Sequence, residues 1–279
     1  MLCKFCHSTS IKVVRDIRSP HNGEYYHLYG CQNCRSHFFD NSQFKVSIKD
    51  LYDDLSTSRG EFPEKFKASR KWEIQARIIG RLSSRPVSSI LDVGCRTGDF
   101  LMHFNDGIKR EGIELSDHYS EIARQRGLTI YNDYLENVTF NVKYDVVSSY
   151  AILEHLENPL VFLNKLSTII NPSGILVILI PGYHSHKRFV RDLFHLHWHM
   201  YTPPEHLNFF SSTFLDNYLE SRGFRLVKRY YTSGGMAGLF KSIPLLHKVI
   251  LKLSALIDRS LLNRLPVFDH MYSYYVFRD

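Results

Sequence analysis

Four of the five cysteines fall in two C-x2-C pairs, Cys3/Cys6 and Cys31/Cys34. Each pair can place two thiolates on one knuckle, and two knuckles close a tetrahedron around Zn²⁺. Disulfides or unpaired thiols are the other readings, and zinc is favoured for paired knuckles in a chain expected to be cytosolic. His7 and His37 lie beside the knuckles and read as bystanders to a four-thiolate site. The fifth cysteine, Cys95, sits in SILDVGCRTGDF (Ser89 to Phe100), where Asp92 ends an apolar run and Gly94 and Gly98 bracket a turn. A glycine-bearing turn lets main-chain N–H groups approach a ligand closely, because no Cβ stands in the way. Two more carboxylates, Glu114 and Asp133, follow later apolar runs. Imidazoles form the last group: His155 in LEHL, and six of the fifteen histidines between His184 and His206. An imidazole near neutrality is the ordinary side chain for taking a proton from a substrate.

The elements that must position these groups alternate in kind. Ile90 to Val93, Lys109 to Glu114, Leu128 to Tyr131, Tyr144 to Ser149 and Gly174 to Ile180 read as strands. Between and around them Ala68 to Leu82, Asp117 to Arg126 and Pro159 to Ile170 carry helical spacing. Strand and helix in alternation predict an α/β fold with a doubly wound, mostly parallel seven-stranded sheet, and ligands belong at the strand C-termini, where Asp92, Glu114 and Asp133 lie. A helix over Ser211 to Arg222 and strands over Phe224 to Tyr231 and Met271 to Phe277 follow. Ahead of this domain, Ile11 to Ile17 and Tyr25 to Tyr29 suit the strands of a zinc ribbon, with Pro20 to Gly23 as the turn. The division expected is a ribbon over 1–40, a linker over 41–69 with a short helix near 49–55, and an α/β domain over 70–279. A helical insertion is expected at about 234–266, where Leu246, Val249, Ile250, Leu253, Leu256 and Ile257 make an apolar stripe beside Lys248, Lys252 and Arg259.

Composition bounds the function. Hydrophobic content of 44% is ample for a core in 279 residues. The apolar runs are too short to span a bilayer, which gives an expectation of a cytoplasmic protein. The net charge of +7 is unevenly spread: residues 88–222 carry 11 Lys+Arg against 16 Asp+Glu, and the basic excess lies on the flanks. An acidic middle argues against a long polyanion across the site, since phosphate contacts dominate such binding. The stripe at 243–264 is a candidate for membrane-surface contact, against the alternative of packing on the domain as a lid.

The series DVGCRTG, IELS, NDYLENV, YDVVSSYAILEHLENP and INPSGILVILIP resembles, in order and spacing, the class I S-adenosylmethionine-dependent methyltransferases, in the small-molecule O-methyltransferase branch. The resemblance covers roughly residues 70–279. It implies a cofactor pocket built from Asp92, Gly94, Cys95, Arg96 and Gly98 in the turn, Glu114 and Leu115 after the second strand, Asp133 and Tyr134 after the third, and Ser149 and Tyr150 at the end of the fourth. The chemistry of the residues agrees: a carboxylate at Glu114 suits vicinal ribose hydroxyls, and Asp133 can accept from an adenine amine. An NAD site would want G-x-G-x-x-G, which Gly94 to Gly98 does not match. The chain departs from the family pattern at Arg96, where glycine is usual. Its guanidinium either pairs with the cofactor carboxylate or faces solvent. In ubiquinone-type relatives the LEHL position belongs to an E-x-x-E-H run implied to hold a divalent cation; here Ala151 replaces the first acid.

These readings converge on methyl transfer to oxygen of a small-molecule or carrier-linked acceptor: a sugar or glycan residue, a polyketide or a quinone-like ring. The candidate catalytic residues are His155, His199 and His206, one of them the base. The alternative is an RNA methyltransferase gripping its substrate with a zinc finger. Ser148-Ser149-Tyr150-Ala151 lacks the Asn/Asp-Pro-Pro-aromatic signature of base N-methylation, so a nucleic-acid partner is not expected. The cofactors expected are S-adenosylmethionine and a structural zinc ion.

Overall fold

The computed structural model describes residues 1–44, 66, 68–194, 197–232, 264–266 and 268–278. The expected short helix near 49–55 and the amphipathic stripe at 243–264 lie outside the described residues, apart from Arg264. Three strands come first: β1 (Ile11–Arg18), β2 (Tyr25–Cys31) and β3 (His37–Phe39). Helix α1 (Arg70–Leu82) leads into β4 (Ser89–Val93), β5 (Lys109–Ile113), α2 (Asp117–Gln125), β6 (Thr129–Tyr131) and β7 (Tyr144–Tyr150). Then follow α3 (Pro159–Thr168), β8 (Ile170–Pro181), α4 (His186–Leu193), β9 (Asn208–Phe209), α5 (Ser212–Glu220), β10 (Phe224–Thr232) and β11 (His270–Phe277).

Seven strands form one sheet in the order β10-β11-β8-β7-β4-β5-β6. Strands β4 to β8 run parallel, while β11 is antiparallel to both β8 and β10. The direction of the chain reverses at β4, the first strand of the unit, so the crevice of a doubly wound sheet opens at its C-terminal end. Both faces of the sheet are covered, which is why β4 and β8 read as unbroken apolar runs. Leu91, Val147, Leu176 and Ile178 face one side with Phe162, Leu163 and Leu166 of α3 and Leu215 and Leu219 of α5. Ile90, Val146, Ile175 and Val177 face the other with Ile79 of α1 and Ala123 of α2. Successive residues go to opposite clusters, as a pleat requires. Asp145 is buried at the other end of the sheet, where Ser88, Arg85 and Asn171 donate to it; it anchors strands and takes no part in the site.

A second sheet has the order β1-β2-β3-β9. Its first three strands belong to the cysteine-bearing ribbon, and the fourth comes from the segment after β8: His37 pairs with Phe209 and Phe38 with Asn208. Phe5, between the first two cysteines, packs its ring on Phe210 and Phe214 at 4.9 and 5.7 Å. Cys3, Phe5, Cys31 and Phe38 thus join the same buried cluster as α3 and α5. The ribbon is built into the α/β core. In the loop after β8, His186 to Leu193 forms α4, capped by the Ser185 hydroxyl accepting from the Arg188 N–H. His197 and His199 follow it, and His195 is outside the described residues.

Candidate active site

The two cysteine knuckles are built alike. His7 and Arg35 each donate their N–H to the carbonyl of the first cysteine of the pair, Cys3 and Cys31, at 2.9 Å. Each then takes a left-handed conformation, φ 55° and 59°, that turns the chain away. The Sγ atoms of Cys3 and Cys34 stand 3.7 Å apart and those of Cys6 and Cys31 3.6 Å. A disulfide needs ~2.05 Å, whereas a tetrahedron with ~2.3 Å zinc–sulfur bonds has edges of about 3.8 Å. The four thiols therefore fit a structural zinc ion. Asn33 Nδ2 and the Cys34 N–H point at the sulfurs of Cys6 and Cys31, the outer-shell donors that thiolates want.

At the C-terminal edge of the large sheet the glycine turn follows β4. Gly94 has φ +78°, and a Cβ there would lie 2.2 Å from Ile152 Cδ1. The close approach means that the loop after β7 rests directly on the turn. Gly98, φ +76°, meets Leu128 in the same way. Between them Arg96 is left-handed too, φ 51°, at the position where the resemblance expects glycine. The cost of that conformation is offset by its N–H, which donates to Glu114 Oε2 at 2.9 Å. Its guanidinium lies over the Tyr119 ring, 5.2 Å from the centroid.

Glu114 is buried, and its other oxygen accepts from the Ser116 N–H at 2.9 Å. Burial raises its pKa, while these amides pull the other way. A carboxylate has about four acceptor positions, so two remain for vicinal hydroxyls. Asn132 Nδ2 donates to the carbonyls of Glu114 and Leu115 and so locks the end of β5 to the end of β6. Leu115 and Tyr134 are each 41% exposed on either side of that lock, an apolar pair suited to a flat ring. Asp133 accepts from the Tyr134 N–H and from Asn137, which holds the following turn.

Asp92 is fully enclosed and accepts from the Ser148 hydroxyl at 2.7 Å. Burial lifts its pKa to about 7, and nearby Glu114 adds to the rise against Ser148 and Lys71. Lys71, in the first turn of α1 with its ammonium 4.0 Å from the Trp72 ring centre, is the cation facing Asp92. Sequence reasoning missed it, although a basic residue opening the helix before the glycine turn was a visible signal. At the end of β7, beside Val93, Ser149 Oγ and Tyr150 Oη are buried with no hydrogen-bond partner among the described residues. Orphaned buried hydroxyls at the strand end beside the one that leads into the glycine turn fit a polar ligand seated at that edge. The Cys95 thiol is pushed well up by burial and packs against Gly112, so it stays protonated and serves as a wall.

The loop after β7 carries the next group. Ala151 turns it with φ 57°, and Glu154 and His155 follow. Asn208 Nδ2 holds it by donating to the carbonyls of Leu153 and Leu156 at 2.8 and 2.7 Å, and the Leu207 and Asn208 N–H groups both donate to the Glu154 carbonyl. That brings His206 against His155, with ring centres 4.8 Å apart. His155 Nδ1 lies 2.7 Å from the Glu205 carbonyl and His206 Nδ1 2.8 Å from the Met200 carbonyl. A carbonyl only accepts, so each Nδ1 carries the proton and each Nε2 keeps the lone pair in the neutral ring. Glu154 is buried and its Oε2 has no hydrogen-bond partner among the described residues. Burial, with Glu205 nearby, raises its pKa to about 8. Of the three histidines expected at the chemistry, His155 and His206 are brought together; His199 stands beside Asp269 instead, at 3.9 Å.

A seven-stranded sheet in this order, with a glycine turn and acidic strand ends at one edge, defines a Rossmann-like methyltransferase fold. The sequence pattern described as "Methyltransferase domain" matches residues 66–229, and the chain belongs to that family. A pavine N-methyltransferase of Thalictrum flavum subsp. glaucum is 33% identical over 111 residues, which is 36% of this chain and only 30% of that relative's length. Among solved structures, the methyltransferase in complex with the Trm112 activator of Haloferax volcanii aligns with TM-score 0.55 at 15% identity, over 84% of this chain and 98% of that one. Magnesium protoporphyrin IX methyltransferase of Synechocystis PCC 6803, with bound S-adenosylhomocysteine, gives 0.52 at 15% identity over 83% and 96%. These similarities are of fold. Among the described residues no helix is long and apolar enough to cross a membrane.

Proposed function

We propose that the chain transfers a methyl group to a hydroxyl oxygen of a small-molecule or carrier-linked acceptor, such as a sugar or glycan residue, a polyketide or a quinone-like ring. The observation that carries this reading is the pairing of His155 with His206 beside Glu154, on the loop that lies over Gly94. A neutral amine offers its lone pair directly, whereas a hydroxyl must lose a proton, and a paired imidazole site answers that need.

S-adenosylmethionine, when bound, supplies a methyl group on a sulfonium, and its displacement needs alignment and exclusion of water. Glu114 accepts from the ribose hydroxyls with its two remaining positions, and the Arg96 main chain holds that carboxylate in place. Leu115 and Tyr134 flank the adenine, with Asp133 as its acceptor. Asp92 and Lys71 orient the amino-acid end, and Ser149 and Tyr150 give their hydroxyls to the same ligand. The turn residues Gly94, Cys95 and Gly98 admit it closely. On the acceptor side, Nε2 of His155 or His206 takes the hydroxyl proton, its direction fixed by the Nδ1–H to carbonyl contacts. His199 belongs to the outer wall of the acceptor pocket.

Two features of the ribbon speak against a nucleic-acid grip: its third strand is spent on pairing with β9, and Phe5 is spent on the core. The deciding experiment feeds methyl-labelled cofactor to the protein with panels of glycosides, polyketide phenols, quinols and amines. A methyl ether is the expected product, and His206→Ala should lower kcat by about 10²-fold or more while leaving S-adenosylhomocysteine affinity unchanged. An N-methyl product, or steeply salt-dependent RNA binding, would overturn the reading.

A further inference from the structure

We propose that Glu154, His155 and His206 bind a divalent first-row transition-metal ion, distinct from the zinc of the ribbon, in the acceptor pocket. The proposal deepens the reading of methyl transfer to oxygen and rests on it for its role. One carboxylate oxygen of Glu154 and one ring nitrogen of each histidine all lie within 4.8 Å of one another. Ligands at ~2.1 Å around one ion stand about 3.0–3.4 Å apart, a gap that side-chain rotation closes. Three further observations point to a ligand at this spot. Glu154 Oε2 is buried and has no hydrogen-bond partner among the described residues, which is costly for a carboxylate unless a cation or donor is supplied. Both histidines donate Nδ1–H to a main-chain carbonyl, the outer-shell arrangement that fixes Nε2 as a metal-ligating nitrogen. And the two histidines come from different segments, drawn together by the Asn208 bonds to Leu153 and Leu156, so their approach is built by the fold.

The third ligand is not the first acid of an E-x-x-E-H run, which is Ala151 here; it is His206, brought in from the segment before β9. The change alters the metal. Two imidazoles and one carboxylate suit Zn²⁺, Co²⁺, Mn²⁺ or Fe²⁺, and are poor for Mg²⁺ or Ca²⁺, which want oxygen. Three protein ligands leave open positions for an acceptor hydroxyl. With the ion bound both Nε2 atoms are ligands, so the ion takes the place of the imidazole base of the metal-free reading: it lowers the pKa of the ligated hydroxyl, whose proton passes to solvent. The acceptor oxygen then forms the O–CH3 bond as the S–CH3 bond breaks, giving methyl ether and neutral S-adenosylhomocysteine.

The test is cobalt reconstitution of the full-length metal-stripped protein. Wild type is expected to bind about two Co²⁺ per chain, one giving thiolate-to-cobalt charge-transfer bands from the four cysteines and one giving only nitrogen and oxygen bands. Glu154→Gln and His206→Ala should each lose the second ion, keep the thiolate bands, and leave S-adenosylhomocysteine affinity unchanged. Millimolar Mg²⁺ should not displace it. A single equivalent carrying thiolate bands in wild type, or a second equivalent that survives both substitutions, would overturn the proposal. A variant that misfolds declares itself by losing the thiolate bands, and the wild-type stoichiometry then decides. Since cobalt binding needs no acceptor, an N-methyl product with the second ion present would count against the oxygen reading alone.

Discussion

Phe38 of the ribbon pairs antiparallel with Asn208 of the methyltransferase domain, two residues after His206. The side chain of the same Asn208 grips the loop that holds Glu154 and His155. The strand that closes the ribbon is therefore also the strut that sets the loop of the proposed acceptor site.

Asn208→Ala leaves the buried carbonyls of Leu153 and Leu156 without that donor. A loss of about 2–4 kcal/mol is expected in denaturant unfolding. The acceptor KM should rise while calorimetric binding of S-adenosylhomocysteine stays as in wild type, since β4 and β5 are untouched.

Stripping the ribbon metal, or Cys34→Ser, should be felt at β9. Hydrogen exchange of the Phe39 amide, which donates to the Leu207 carbonyl, and of the Leu207 and Asn208 amides is expected to quicken by at least about tenfold. Exchange in β5 and β6 should hold, and uniform protection after metal removal would show the ribbon to be inert.

Asp92 is raised from 3.8 to about 7 by burial. As pH rises from about 4 to 7 the unfolded chain releases this proton first, so the group makes the fold progressively less stable over that window. Asp92→Asn keeps an oxygen for Ser148 and cannot ionise. Its unfolding midpoint relative to wild type should climb from pH 4 to pH 7, and a constant difference would deny the shift.

Glu114→Gln replaces an acceptor with an amide that cannot receive both the Arg96 and Ser116 N–H groups. Cofactor affinity is expected to fall at least about tenfold, or ~1.4 kcal/mol, by calorimetry.

His7 is exposed and left-handed at the end of the first knuckle. His7→Gly removes that strain and should stabilise the protein by about 0.5–1 kcal/mol, read as a higher midpoint with zinc content unchanged.

The parallel sheet was legible because β4 and β8 are apolar runs of strand length, and its acidic C-terminal edge because carboxylates lie at or just past the ends of three strands in order. The paired knuckles were equally plain. The second sheet was not: β9 is two residues long, and its partner lies about 170 residues away, beyond any local pattern. For the same reason the sequence offered three histidines without telling which would meet; His206 meets His155 through Asn208, and His199 does not. Helix α4 escaped because its apolar positions, Phe189, Val190 and Leu193, are exposed and so mark no buried face. Arg96 was visible as a departure, but that its main chain would cap Glu114 depends on a left-handed turn that spacing alone does not reveal.

The pairing of β3 with β9 also sets an order of events during synthesis. The ribbon leaves the ribosome with His37 to Phe39 as an open edge, and roughly 170 residues must follow before Asn208 and Phe209 can cover it. Until then an early zinc ion can fold the knuckles, yet the newborn sheet still presents an unpaired rim to any neighbouring chain. Cells that make this protein quickly, or short of zinc, should find its first forty residues the place where nascent chains stick together.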